Sequence, residues 1–340
     1  MIRLGIALRL VGALVLALPV AHGVATLLLT TSFLVEFLGH GGWRPLSALT
    51  RDPAVRSLSA GVGPRAVPVD LYAGASFRRR PALVLVHGLS PQGKDEPRLR
   101  EAAALLARAG WAVAVPTVEG LTVLRLRPED AGAVSATIRA LRRAGYQRVA
   151  VLGISLGAGP ALLAASEPEV AGQLSAALAL GGYGSAVELL RYTLTGAYAY
   201  AGISGRHAVT ETAIAQFARA NADLVDEAGR RLVDNRDPAA VDGLVQALPQ
   251  STRDLLDALS PARTIGGLRG PLFLIHGRQD PAVPFTESLR LADAARSAGR
   301  PVRVAIVGVL AHVEPNWRSG IGDLLRLWAT FYAFRRASER

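Results

Sequence analysis

Seven short runs of mostly apolar residues recur along this chain, and their alternation with helical stretches restricts the fold more than any other feature. The runs are Val67 to Tyr72, Ala82 to Val86, Ala112 to Val115, Val149 to Leu152, Ala176 to Leu180, Leu272 to Ile275 and Val302 to Val307. Each is about as long as a strand buried in a sheet. Helical patterns stand between most of them, at Glu101 to Ala109, Ala131 to Ala144, Ala158 to Ser166 and Glu287 to Ala298. This alternation predicts an α/β fold with a mostly parallel, doubly wound sheet covered by helices on both faces. Right-handed crossovers would then gather the ends of the parallel strands along one edge.

The alternation breaks once, from Tyr183 to Arg269, where helical patterns dominate and Ser251 with Asp254 forms a capping box before Leu255 and Leu256. We therefore expect a helical cap insertion over 183–269, interrupting a core of 67–182 and 270–340. Residues 39–66, rich in Gly, Pro, Arg and Ser without a steady period, read as a linker. Residues 1–38 read as an N-terminal membrane anchor. From Leu10 to Val35 the only ionisable side chain is His22, and a helix of about 20 residues already crosses a bilayer. The rival readings are a signal peptide cleaved near Gly23-Val24-Ala25, though that cut would leave another strongly apolar end, and a buried core helix. Arg3 and Arg9 favour an inner N-terminus and a catalytic domain on the outer side of the membrane.

The chemistry concentrates at Gly153-Ile154-Ser155-Leu156-Gly157, which joins an expected strand directly to an expected helix. A serine on so tight a turn projects its hydroxyl above the sheet edge, and glycines on either side avoid the clashes that larger residues would make. A serine hydroxyl becomes a useful nucleophile only when an imidazole takes its proton and a carboxylate orients that imidazole. In this architecture the order along the chain is serine, acid, histidine. Asp280 follows the run Leu272 to Ile275 and so falls at the same sheet edge as Ser155; His312 alone among the later histidines follows the final strand. Val84-Leu85-Val86-His87-Gly88-Leu89 ends a strand in His-Gly, and the backbone N–H groups of Leu89 and Leu156 are the candidate oxyanion donors. We read His87 itself as structural.

Taken together, His87-Gly88, Gly-Ile-Ser-Leu-Gly, His276-Gly277-Arg278-Gln279-Asp280-Pro281-Ala282-Val283-Pro284 and the late His312 resemble the α/β-hydrolase superfamily, especially its esterase-like and dienelactone-hydrolase-like branches. The resemblance runs from about Pro68 to Phe334. It implies an eight-stranded sheet, a mobile cap and cleavage of an acyl bond through a covalent acyl-serine. The stretch Pro116-Thr117-Val118-Glu119-Gly120 lacks the Asp often found after the fourth strand of that superfamily. A serine hydrolase acting on a carboxylic ester, small or lipid, is the expected function. Peptidase, thioesterase and acyltransferase activity on the same fold, or a membrane-tethered binding protein without catalysis, are the alternatives.

Other chemistries are poorly served. The net charge of +11 comes almost entirely from Arg, since Lys94 is the only lysine, and Arg78-Arg79-Arg80 has no interleaved aromatics, which argues against a nucleic-acid partner. Without Cys there is no disulfide, thiolate metal site or cysteine nucleophile, and no clustered ligand set implies a cofactor. Gly88-Leu89-Ser90-Pro91-Gln92-Gly93-Lys94 fits the first seven positions of a phosphate-binding loop. Asp95 then stands where a Ser or Thr would bind Mg²⁺, and Pro91 lacks an N–H for phosphate. Nothing in the sequence fixes an oligomeric state.

Overall fold

The computed structural model describes residues 23–39, 42–74, 80–311 and 320–340. Eight strands form one sheet: β1 (Ala54–Ser57), β2 (Val69–Ala73), β3 (Ala82–Val86), β4 (Ala112–Pro116), β5 (Val149–Ile154), β6 (Leu174–Leu180), β7 (Leu272–Gly277) and β8 (Val302–Val307). Their spatial order is β1-β2-β4-β3-β5-β6-β7-β8. The pairs β1–β2 and β2–β4 are antiparallel, and every later neighbour is parallel.

The central strands are apolar at consecutive positions because both of their faces are covered. Along β3, Ala82, Val84 and Val86 enter one core while Leu83 and Leu85 enter the other. β7 divides in the same way, with Leu272 and Leu274 on the first side and Phe273 and Ile275 on the second. On the first face lie α4 (Asp130–Arg143), α5 (Ala158–Ser166) and α11 (Thr286–Ser297), through residues such as Ile138, Leu162 and Leu291. On the second face lie α1 (residues 23–38), α3 (Pro97–Arg108) and α12 (Ile321–Ser338), through Phe33, Leu106 and Phe334.

That second face includes the described part of the expected membrane anchor over 1–38. Residues 1–22 lie outside the described residues, and among the described residues no helix is long and apolar enough to cross a membrane. The second half of the apolar stretch is α1, docked on the domain. Thr26, Thr30, Phe33, Leu34 and Leu38 recur at helical spacing and are all buried. The Phe33 ring stacks on Phe331 of α12 at 4.7 Å, and Trp328 Nε1 donates to Thr31 Oγ1 at 3.1 Å. Burying Phe33, Leu34 and Leu38 is worth roughly 1.5–3 kcal/mol each. A run of apolar residues does not reveal whether lipid or protein will cover it, and here α12 and Trp111 supply the cover.

The expected linker is also partly ordered into the sheet. Glu36 accepts from the backbone N–H groups of Leu46 and Ser47, at 2.9 Å each, and so starts the short helix α2 (Pro45–Leu49). Residues Ala54–Ser57 then form the edge strand β1, and Ala60–Val62 pairs with Arg65–Val67 as a small hairpin. All four residues of β1 are exposed, so no alternation of apolar and polar positions marks it in the sequence.

Between β6 and β7 the insert holds α6 (Ala186–Thr195), an antiparallel hairpin of Ala197–Tyr200 with Ile203–Arg206, α7 (Glu211–Ala220), α8 (Glu227–Val233), α9 (Val241–Gln246) and α10 (Gln250–Ala258). It has a core of its own, including Leu190, Leu194, Ile214 and Leu232. Its base is tied down by the buried carboxylate of Glu287, which accepts from the N–H groups of Gly184 at 3.0 Å and Ser185 at 2.8 Å. The expected capping box does not form: α10 begins one residue before Ser251, behind Pro249, and has no side-chain cap. The hairpin was not expected, because its strands are short and have no fully buried position.

Candidate active site

Ser155 leaves β5 with φ at +53°, a left-handed conformation that few residues other than Gly adopt and that costs on the order of 1–3 kcal/mol. The flanking glycines are fixed by backbone, not by side chains. A Cβ on Gly153 would stand 2.5 Å from Ala158 Cα, and one on Gly157 would overlap the carbonyl of His87. After the single turn Ser155–Gly157 the chain continues as α5, whose N-terminal end is therefore beside the serine. That end carries partial positive charge.

The loop after β3 closes over the same point. A Cβ on Gly88 would lie 3.2 Å from Ser155 Cβ and 3.7 Å from Ser155 Oγ, so the backbone there passes against the serine. His87 holds the loop in place. Its Nε2 accepts from the Val118 N–H at 3.0 Å, which leaves the proton on Nδ1 to donate to the Gly88 carbonyl at 2.7 Å. Burial pushes this imidazole below its ordinary pKa, as suits a neutral ring fixed at both nitrogens. Leu89 and Leu156, the candidate oxyanion donors, border the same cavity as Ser155.

Asp280 follows β7 by three residues and is buried. Its Oδ1 accepts from the N–H groups of Ala282 at 2.8 Å and Val283 at 3.0 Å, which fixes the carboxylate plane. Oδ2 lies 3.3 Å from Nε2 of His276. That histidine is itself fully buried, with Nε2 donating to the Val283 carbonyl at 2.9 Å and Nδ1 beside Ser288 Oγ at 2.8 Å. It braces the loop that carries Asp280, a role that its place at the end of an apolar strand does not announce. His312 lies outside the described residues. Leu310 and Ala311, which precede it, pack on β7: a Cβ on Gly277 would overlap the Ala311 carbonyl.

Tyr192 of the insert reaches the acid loop and was not singled out in the sequence. Its hydroxyl donates to the Pro281 carbonyl at 2.9 Å and meets His207 Nδ1 at 2.6 Å, so His207 is the donor in that second bond. Burial first, then the negative charge of Asp280, pushes the phenol well above its ordinary pKa. The neutral hydroxyl thus links the insert to the loop that carries Asp280. Lys94, the cation of the phosphate-loop match, donates to Asp70 at 3.0 Å and to Asp95 at 2.9 Å. It serves as a tie between β2 and the loop beyond β3.

These parts surround a cavity of about 1650 Å³ that runs beneath the insert, past Ser155, to the region of α1, α2 and α3. Ser155, Leu156, Leu89, Tyr192 and Pro281 all line it. The arrangement presents a strained hydroxyl, a helix N-terminus and a buried, oriented carboxylate loop to one cavity.

No protein-family model matches the chain. A segment of 83 residues is 39% identical to 5-methylorsellinic acid synthase of Aspergillus terreus, but it covers 24% of this chain and only 3% of that protein. Among solved structures, the chain is similar to a puromycin-hydrolyzing peptidase of Mycobacterium tuberculosis, with a TM-score of 0.57 and 20% identity, covering 84% of this chain and 39% of that one. It is similar to the acylaminoacyl peptidase of Pyrococcus horikoshii, with a TM-score of 0.51 and 16% identity over 76% of this chain and 38% of that one. It is also similar to dipeptidyl peptidase 4 of Porphyromonas gingivalis, with a TM-score of 0.54 and 13% identity over 84% and 36%. The chain spans less than half the length of each, and the likeness is one of fold.

Proposed function

We propose that this chain, which has the α/β-hydrolase fold, is a serine hydrolase that cleaves a carboxylic ester through an acyl-enzyme. The observation that carries the proposal is Ser155 itself, held at φ +53° between two glycines that admit no side chain. Such strain has no packing role at a sheet edge, whereas it aims a hydroxyl into the cavity.

In this reading Ser155 Oγ attacks the substrate carbonyl while His312 takes its proton. Asp280 orients the imidazole and stabilises the imidazolium, supported by the two backbone donors on its Oδ1. The N–H groups of Leu89 and Leu156 receive the oxyanion, and the His87 bond to Gly88 keeps the first of them in position. The tetrahedral intermediate collapses as His312 returns the proton to the leaving alcohol. Water, deprotonated by His312, then attacks the acyl-serine and frees the acid and the enzyme.

Residues 10–22 are apolar apart from His22, and the outward face of α1 continues them with exposed Val24, Leu27 and Leu28. On this ground we also propose membrane attachment through the N-terminal segment, with the catalytic domain on the outer side. The similar solved structures are named as peptidases, so the bond cleaved is what the test must decide. Turnover of p-nitrophenyl esters and of aminoacyl p-nitroanilides is compared for wild type, Asp280→Asn and His312→Ala. Ester turnover that both variants lower by about three orders of magnitude or more is expected. Anilide turnover without ester turnover would replace esterase with peptidase.

A further inference from the structure

The cavity is divided by charge. Where it meets α1, α2 and α3 it is bordered by Glu36, Arg44, Asp52, Arg98, Glu101 and Arg108. Where it runs under the insert, none of the described lining residues between Ala186 and Leu259 is charged. This is not for want of charge in the insert: Glu188, Arg191, Glu211, Asp223 and Arg231 all engage in ion pairs outside the lining. The insert thus turns its charges away and faces the cavity with Leu, Val and Phe among uncharged polar residues such as Thr193, Gln216 and Asn221.

Some of those side chains have no place in the insert's own core. Leu224, Val225 and Leu255 line the cavity yet are not members of the cluster around Leu190, Ile214 and Leu232. Apolar side chains that border a space and do not build the local core are placed to be covered by something apolar. The space they border is continuous with Ser155 and belongs to a cavity larger than the roughly 300–1,000 Å³ typical of small-molecule sites.

We infer that the uncharged lobe beneath the insert, lined by Leu224, Val225, Leu255 and Leu256, binds a long unbranched hydrocarbon chain carried by the ester substrate. The inference rests on the serine-hydrolase reading for the reaction, though not for the binding. The polar part of the substrate then lies in the charged lobe by α3, with the ester carbonyl at Ser155 between them. The chain belongs to either the acyl or the alcohol half, and the chemistry that recognises it is the same.

The test is a pair of chain-length series on the full-length protein, with every ester below its micelle concentration. One series is p-nitrophenyl butyrate, octanoate and dodecanoate; the other is butyl, octyl and dodecyl acetate. A buried methylene raises kcat/KM by roughly two- to four-fold. At least one series should therefore climb by ten-fold or more, and Leu255→Trp and Val225→Asp should each lower its longest member at least ten-fold relative to its shortest. The series that climbs identifies which half carries the chain. Flat or falling values in both series for wild type, which depends on no variant folding, would overturn the inference.

Binding of butyrate and dodecanoate to Ser155→Ala, by calorimetry, separates this from the fate of the hydrolase reading. Dodecanoate bound at least ten-fold more tightly, and weakened by Val225→Asp, upholds the lobe even if no ester is turned over. Ester turnover with no preference for chain length, in kinetics or in binding, removes the lobe and leaves the hydrolase.

Discussion

At the elbow a methyl group on Gly153 or Gly157 would strike backbone atoms, whereas across the cavity Leu224, Val225 and Leu255 face open space. The elbow is determined by sterics between main-chain segments of β3, β5 and α5, so only a few residue types fit it. The insert is determined by which side chains it turns inward, and many sequences with the same sorting of charge would serve. A frame of the first kind suits chemistry that must be accurate to a fraction of an ångström, and one of the second kind suits recognition of a substrate's bulk.

The sharpest way to break this contrast is Ser155→Ala, which removes one oxygen from the elbow. Turnover of the best ester should fall by about 10⁴–10⁶-fold with the thermal midpoint unchanged, checked by steady-state kinetics and calorimetry. Gly157→Ala should act through structure instead. Its methyl group overlaps the His87 carbonyl, so stability should drop by about 3 kcal/mol and the elbow should lose its geometry, as seen in denaturant titration. If the alanine variant proved as stable and active as wild type, the steric account of the elbow would be wrong.

The seam between the two regions is sensitive to pH. Tyr183, where the insert begins, is fully buried, and Asp130 on α4 is buried close enough to influence its charge. Burial pushes Asp130 from 3.8 up to about 6, against the opposing bond from the Gly120 N–H. The folded state therefore holds this proton more tightly than the unfolded chain. Its contribution is most favourable below pH 3.8, declines as pH rises towards 6 and stays constant above that. Asp130→Asn keeps an acceptor for Gly120 and should flatten that decline, raising stability at pH 7 by ~1–2 kcal/mol, the upper value discounted for solvent access. An unchanged slope of thermal midpoint against pH would refute it.

The smallest effect is expected where the insert touches the acid loop. Tyr192→Phe removes the donor to the Pro281 carbonyl and the acceptor for His207. A loss of about 1 kcal/mol and a three- to ten-fold lower kcat/KM should follow, with KM and kcat resolved separately. Because Tyr192 acts through the loop that carries Asp280, the loss should appear mainly in kcat.

The two regions also differ in how far the amino-acid sequence reveals them. The apolar runs located seven of the sheet strands, Ala82–Val86 and Val302–Val307 without error: the first is buried at every position, and the second, an edge strand with Arg303 exposed, is apolar at its other five. The eighth, Ala54–Ser57, is an exposed edge with nothing to alternate against. The Gly-Ile-Ser-Leu-Gly turn is readable because its glycines answer to backbone contacts of fixed geometry. The docking of α1 could not be read because its partner, α12, lies some 300 residues away along the chain. His276 stands only four residues before Asp280, yet an apolar strand end does not reveal that the loop turns back onto it; Tyr192 looks ordinary until Pro281, 89 residues on, is brought beside it. Pairings across such separations leave no local pattern.

One measurement bears most directly on the central claim: labelling of the purified protein with a fluorophosphonate probe, followed by mass spectrometry of its peptides. The account predicts a single phosphonyl adduct on Ser155, absent from folded Ser155→Ala and suppressed in His312→Ala. An unlabelled Ser155 in folded protein that still turns over esters, or an adduct that persists in Ser155→Ala, would contradict it.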